Sequence, residues 1–177
     1  MPRTFVQGFA FVLGFWIALL LSPFTARTAE GPKTTAPYAG LEARFHQGVN
    51  QIRNGRHLIP LIRDASLDAV ARAHARDMAV RRYLSHVNPE GQNPLERIQS
   101  AGIGGFSLAA ENAGLTDKAD PNQEILQGWL ASPVHRKNLH APPFNRTGVG
   151  IARAADGTYY YTQLYVTVPR ELAEALR

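Results

Sequence analysis

The chain has 177 residues, no cysteine, six histidines and a formal net charge of +5 at pH 7. Hydrophobic residues make up 45% and charged residues 19%, which is typical of a globular domain and excludes disorder as the main state. The arginines are spread along predicted helices, and no clustered basic patch or recognisable module predicts nucleic acid as a partner.

The first segment has the features of an export signal. Residues 9–21 are apolar and uncharged, follow Arg3, and are followed by small and turn residues. That length is typical of a signal peptide and short for a membrane span, which needs about 20 residues. We therefore predict a signal peptide or N-terminal anchor over 1–29, a linker over 30–40, a folded domain over 41–168 and a C-terminal tail over 169–177. We expect an extracytoplasmic location: secreted, periplasmic or in the cell envelope of a bacterium. Membrane contact is expected only if the N-terminal segment is not cleaved.

The first half of the domain has helical patterns. Apolar residues recur at helical spacing from Leu41 to a stop at Gly55. Ser66 is predicted to cap a second helix that ends near Tyr83. Asn93, followed by a proline, predicts the start of a short third helix.

The second half mixes helix and strand signals. A glycine-rich stretch over 102–107 is predicted to lead into a strand, and cap-plus-proline pairs at 120–121 and 132–133 predict two more helices. Asp156-Gly157 is a hairpin signal, and the aromatic, β-branched run that follows it over 159–168 predicts a strand. We therefore predict an α+β fold with helices covering a mostly antiparallel sheet.

Three polar residues on separate segments carry the functional hypothesis. His86 follows the second helix, Glu111 lies in the predicted strand, and His135 is the third residue of the last helix. Two imidazoles and a carboxylate are a common ligand set of an open zinc site, and they are also a plausible acid/base group, so both interpretations stay open. Asn112 is a candidate hydrogen-bond donor to this cleft. Ser132 is the other candidate cleft residue, and it is expected to cap a helix rather than to act as a nucleophile.

Seven short motifs, in order, resemble the CAP superfamily (cysteine-rich secretory proteins, antigen 5, pathogenesis-related 1; the SCP domain), in its cysteine-free bacterial branch. The matching pieces are 49–53, 60–61, 73–78, 85–86, 110–112, 129–139 and 148–150, with the closing strand at 160–164. The resemblance implies an α-β-α sandwich with a central antiparallel sheet, similar to pathogenesis-related 1. It also implies a cleft tetrad of two His and two Glu, of which His86, Glu111 and His135 match three. Ser132 occupies the position of the second Glu.

We expect an exported protein whose cleft binds a ligand, such as a small molecule, a peptide or a cell-wall polymer, with or without a divalent cation such as zinc. His86, Glu111 and His135 are the predicted metal ligands. One alternative is a hydrolase of peptide or cell-wall bonds with Glu111 as general base. Another is a non-catalytic scaffold or interaction domain. The non-enzymatic interpretation is preferred, and a monomer is expected.

Overall fold

The computed structural model describes residues 36–169. It contains five helices and four strands in this part of the chain: α1 (Ala39–Asn54), β1 (Ile62–Arg63), α2 (Ala65–Arg81), α3 (Pro94–Ser100), β2 (Leu108–Thr116), α4 (Pro121–Ala131), α5 (Pro133–Leu139), β3 (Arg146–Arg153) and β4 (Tyr159–Thr167). Within these residues no helix is long and apolar enough to cross a membrane. The predicted segment 1–29 lies outside the described residues, as do most of the predicted linker and of the tail.

The strands form one sheet in the order β1-β3-β4-β2. β4 pairs antiparallel with β3 on one side and with β2 on the other, and the short β1 adds a parallel pair at the far edge. The turn between β3 and β4 contains Gly157 with φ of +96°, a conformation that glycine adopts without strain. The predicted mostly antiparallel sheet is confirmed, and β2 lies at its edge.

Helices cover both faces of the sheet, as the α-β-α prediction requires. On one face α1, α4 and α5 close a core around Phe45, Trp129 and Tyr165. On the other face α2 and α3 pack Ala75, Met78, Leu67 and Ile98 against the sheet. The contact of α2 with β3 is very close: a Cβ added at Gly148 or Gly150 would lie 2.2 Å from backbone atoms of α2.

The helix boundaries correct the sequence prediction in three places. Asp64, and not Ser66, is the N-cap of α2, since its carboxylate accepts hydrogen bonds from the backbone N–H groups of Ser66 and Leu67. α2 ends at Arg81, because Arg82 adopts a left-handed conformation. Ser132 occupies the N-cap position of α5, but its side chain makes no capping hydrogen bond.

Candidate functional site

The edge strand β2 carries the first half of the site. Successive side chains of a strand point to opposite faces, so Glu111 and Asn112 serve different layers. Glu111 contacts Arg97 on α3, whereas Asn112 contacts the backbone of His135 on α5. One dipeptide at the sheet edge therefore joins the two helical layers.

Glu111 is a buried carboxylate with two cationic partners. His86 Nδ1 donates to Oε1 at 2.8 Å, and an Arg97 nitrogen donates to Oε2 at 2.6 Å. The Glu111 side chain is only 1% exposed. Burying a charge is costly unless it is paired and hydrogen-bonded, and here both oxygens are.

Arg97 also holds the loop that carries His86. Its second terminal nitrogen donates to the backbone carbonyls of His86 at 2.8 Å and Gln92 at 2.9 Å. The N-terminus of α3, the helix that carries Arg97, is stabilised because Asn93 and Glu96 form a reciprocal capping box. Sequence reasoning missed Arg97. The available signal was its position next to the apolar Ile98 on a capped helix that directly follows the His86 loop.

The hydrogen bond to Glu111 sets both the charge and the tautomer of His86. It raises the pKa of His86 above the ordinary value, and burial opposes it only in part. When the ring is neutral, its proton stays on Nδ1 against the carboxylate, so that Nε2 carries the lone pair. The His86 side chain is 50% exposed, and no described residue bonds to Nε2.

His135 behaves in the opposite way. Its ring stacks on the buried Trp129 with centroids 5.9 Å apart and an interplanar angle of 24°. Burial lowers the pKa of His135, and the positive charge of nearby His86 lowers it further. Burial and the charge of His86 together favour a neutral His135 imidazole.

Amide side chains join α5 to the edge strand β2. Asn112 Nδ2 donates to the His135 carbonyl at 3.1 Å and to the Tyr165 hydroxyl at 3.2 Å. Asn138 Nδ2 donates to Asn112 Oδ1 at 2.8 Å and to the Glu111 carbonyl at 3.2 Å. Asn112 is a buried hydrogen-bond donor to α5 and to Tyr165, and its role as a cleft residue stays a prediction. Asn138, one helical turn after His135, is a further support that sequence reasoning missed.

The three predicted residues converge unequally. His86 and Glu111 bond directly, whereas His135 is linked to Glu111 only through its backbone carbonyl, which accepts from the neighbouring Asn112. Among residues 36–169 no group of three or more His, Cys, Asp or Glu side chains is arranged to hold a metal ion. The roles of Glu111 as metal ligand and as general base stay predictions, and its two existing partners compete with both.

Comparisons with known proteins identify the family of the chain. The model of the cysteine-rich secretory protein family (CAP) matches residues 46–165. The Bacillus subtilis (strain 168) protein YkwD is 30% identical over 142 residues, which cover 80% of this chain and 52% of YkwD. The membrane protein YlbC of the same organism is 32% identical over 66% of this chain and 32% of its own length. The chain therefore spans about half or less of the length of these curated relatives.

Solved structures show the same fold. An extracellular protein containing an SCP domain from Bacillus anthracis str. Ames superposes with a TM-score of 0.63 at 32% identity, over 77% of this chain and 45% of that one. An outer surface protein from Borrelia burgdorferi superposes with a TM-score of 0.69 at 19% identity, over 76% of this chain and 97% of that one. With a family model that matches residues 46–165 and this shared architecture, the chain belongs to the cysteine-rich secretory protein (CAP) family.

Proposed function

We propose that this is an exported CAP-domain protein that binds, without catalysis, a ligand in the cleft of His86 and His135 through a divalent cation such as zinc. The single observation that supports this most is the 2.8 Å hydrogen bond from His86 Nδ1 to the buried Glu111 carboxylate. Carboxylates behind metal-binding histidines fix the tautomer and the ring orientation, and they strengthen the ligand.

The donor set fits zinc in kind. Neutral imidazole nitrogen is a common zinc ligand. His86 would use Nε2, the nitrogen that Glu111 does not engage. Burial and the charge of His86 favour the neutral form of His135. Two protein ligands leave positions open for water or for a ligand's own donor atoms, so we expect modest affinity. Bound zinc would supply Lewis acidity to such a ligand.

The environment of Glu111 favours a role in orienting His86 over direct metal binding or catalysis. Its two oxygens already accept hydrogen bonds from His86 and Arg97. To ligate zinc or to take a proton from water, the carboxylate would have to give up one of these partners inside a buried site, which is costly. The hydrolase hypothesis is therefore the less favoured of the two.

Exposed apolar side chains lie close in sequence to both histidines. Leu84 and Val87, on either side of His86, are 48% and 46% exposed, and Val134, next to His135, is 71% exposed. Exposed apolar side chains beside a polar centre are typical of binding surfaces. We expect a ligand with a metal-binding donor group and apolar parts, such as a peptide.

Zinc titration by calorimetry tests the cation site. We expect saturable heat with the wild type and a loss of at least tenfold in affinity with His86→Ala and with His135→Ala. His57→Asn is the matched control, since His57 is an exposed imidazole with φ of 58°, which Asn tolerates. Equal zinc affinity in the wild type and His86→Ala, with both folded by circular dichroism, contradicts the proposal.

Export rests on separate support. The apolar segment over 9–21 has the length of a signal peptide, and the solved relatives include an extracellular protein and an outer surface protein. We expect the full chain, expressed in a bacterium, to appear outside the cytoplasm. Cell fractionation, with N-terminal sequencing of the exported form, is the measurement, and recovery in the cytoplasm alone contradicts export.

A further inference from the structure

A pocket lies between the C-terminal ends of α1 and α5. Residues 55–58, which follow α1, form one wall, and His140 at the end of α5 forms the other. The pocket has a volume of about 520 Å³, which is enough for a small ligand group. Its lining includes the guanidinium of Arg56, and none of the described residues that line it is Asp or Glu.

The two chain segments that form this pocket have no acidic residue over long stretches. No Asp or Glu occurs in residues 43–63 or in residues 125–155, although the chain has 14 such residues. Each of the two stretches contains four Lys or Arg residues. Because the fold brings the stretches together at the pocket, it creates a basic surface that the sequence spacing alone did not predict.

A buried arginine connects the two walls. Arg53 is fully buried, and its Nε donates to the Ile59 carbonyl at 2.9 Å. One terminal nitrogen donates to the carbonyls of Leu139 at 2.9 Å and Ala141 at 3.1 Å. Since Leu139 and Ala141 flank His140, the guanidinium lies next to the backbone that carries His140. Carbonyl oxygens satisfy the donors of Arg53, but they have no formal negative charge to neutralise it.

The charged groups that act on His140 are all positive. Burial lowers the pKa of His140 first, and the charges of Arg56, Arg136 and Arg53 lower it further. None of these three arginines forms an ion pair with Asp or Glu within residues 36–169. The C-termini of α1 and α5 are each equivalent to at most about −0.5 charge, so most of the three positive charges stay uncompensated.

We propose that this pocket binds the phosphate group of a phosphate ester. A cleft lined by charges of one sign concentrates ions of the opposite sign. The guanidinium of arginine suits phosphate, because it is weakly hydrated and can donate two parallel hydrogen bonds. A phosphate monoester carries about −1.5 to −2 charge at pH 7, so it matches three arginines better than a singly charged carboxylate does.

Arg56 is the residue that would contact the phosphate. Its side chain is exposed and lines the pocket, whereas Arg53 is buried behind the His140 wall and would act through its charge. The site requires no metal, and it does not depend on the function proposed for the His86 cleft.

Amide chemical shifts during titration with glycerol 3-phosphate, in a chloride buffer at constant ionic strength, test the proposal. Glycerol is the matched probe, because it lacks only the phosphate. We expect saturable shifts in residues 55–58 and 139–141 with glycerol 3-phosphate and none with glycerol. Absence of saturable shifts with the phosphate ester, or equal shifts with glycerol, overturns the proposal.

A pair of variants localises the binding. Arg56→Gln and Arg44→Gln each remove one positive charge from an exposed position, but Arg44 lies in the first half of α1, outside the pocket. We expect about a tenfold loss of affinity for glycerol 3-phosphate in Arg56→Gln, the effect of one charged hydrogen bond, and no change in Arg44→Gln. Equal affinity in the two variants, both folded by circular dichroism, contradicts a site at this pocket.

Vesicles separate two sources of the phosphate. A lipid headgroup predicts cosedimentation with phosphatidylcholine vesicles that contain phosphatidic acid, and a loss of cosedimentation in Arg56→Gln but not in Arg44→Gln. A soluble ester predicts binding of glycerol 3-phosphate without cosedimentation. Either result supports a phosphate site in this pocket. None of these outcomes bears on zinc binding by His86.

Discussion

Two buried carboxylate clusters of this molecule invite comparison. In the first, Glu42 and Asp68 pair with Arg63 and Arg72. In the second, Glu111 pairs with Arg97 and His86. The Glu42 and Glu111 side chains are each 1% exposed, so both clusters keep a charged group in the interior by giving it two cationic partners.

The first cluster completes the sheet. β1 pairs with β3 over only two residues, and beyond it the backbone N–H of Val149 donates to Asp68 and that of Ile151 to Glu42. The carboxylates thus take the place of the missing strand as acceptors for backbone groups that could not be left unbonded. Its cations are arginines, which stay charged at any relevant pH.

The second cluster differs in one partner. His86 takes the place that a second arginine has in the first cluster. Its side chain is half exposed, and its Nε2 has no hydrogen bond among the described residues. Histidine is the side chain that changes charge near neutral pH and that binds metals. Similar burial of a carboxylate therefore serves architecture in one place and, we infer, a binding site in the other.

The largest expected effect is on stability, in the first cluster. Glu42→Ala leaves the charges of Arg63 and Arg72 without their main partner and an N–H of β3 without its acceptor. We expect a loss of about 3–5 kcal/mol in the free energy of unfolding. Urea denaturation measures it. Asp117→Ala is the control, because its carboxylate is 76% exposed and surface pairs contribute only about 0–1 kcal/mol. Similar losses in both variants contradict the architectural role.

Glu111→Gln should show its effect in metal affinity. The amide keeps the size of the side chain but removes the charge that orients and strengthens His86. We expect zinc affinity to fall about 10–100-fold, as with other changes behind a ligating histidine. Calorimetry on the folded variant measures it, with Asp117→Asn as the matched removal of a remote charge. Complete loss of binding would instead favour Glu111 as a direct ligand.

The next prediction concerns how the free energy of unfolding depends on pH through His86. Because the pKa of folded His86 lies above its ordinary value of 6.5, the ion pair with Glu111 stabilises the fold fully below that value. This contribution is lost as the pH rises through the raised pKa. We expect the loss in wild type and its absence in His86→Gln, as measured by urea unfolding on either side of neutrality. Glu111→Gln should bring the pKa of His86 down towards 6.5 in a proton NMR titration. An unchanged titration there contradicts the assigned cause.

Much of the architecture could be predicted from the sequence because local signals agree with it. Pro94, Pro121 and Pro133 each stand at the first position of a helix, and Asp156-Gly157 forms the predicted hairpin turn. These signals act over a few residues, so they can be read without the fold. The Asp64 cap was missed because two neighbouring residues, Asp64 and Ser66, both had suitable side chains.

The chemistry of the site was less accessible. The resemblance to a family gathered His86, Glu111 and His135, but it gave no orientation to Glu111. Arg97, which precedes Glu111 by 14 positions in the chain, fixes the orientation of the Glu111 carboxylate. It does so through contacts that exist only after α3 has packed on β2. The folded structure also determines that Nδ1, and not Nε2, of His86 donates to Glu111. No periodicity or capping signal in a sequence predicts which nitrogen of a histidine is engaged.

The smallest expected effect separates the two causes that act on His135. Burial lowers the pKa of His135 first and the charge of His86 second. His86→Asn removes only the second cause, so the pKa of His135 should rise but stay below 6.5. Proton NMR titration of the His135 ring measures it, and His57→Asn should leave it unchanged. If the pKa of His135 returned fully to 6.5, burial against Trp129 would not be the main cause. If it did not move, the two imidazoles would not share one cleft, and a cation held between them would lose its basis.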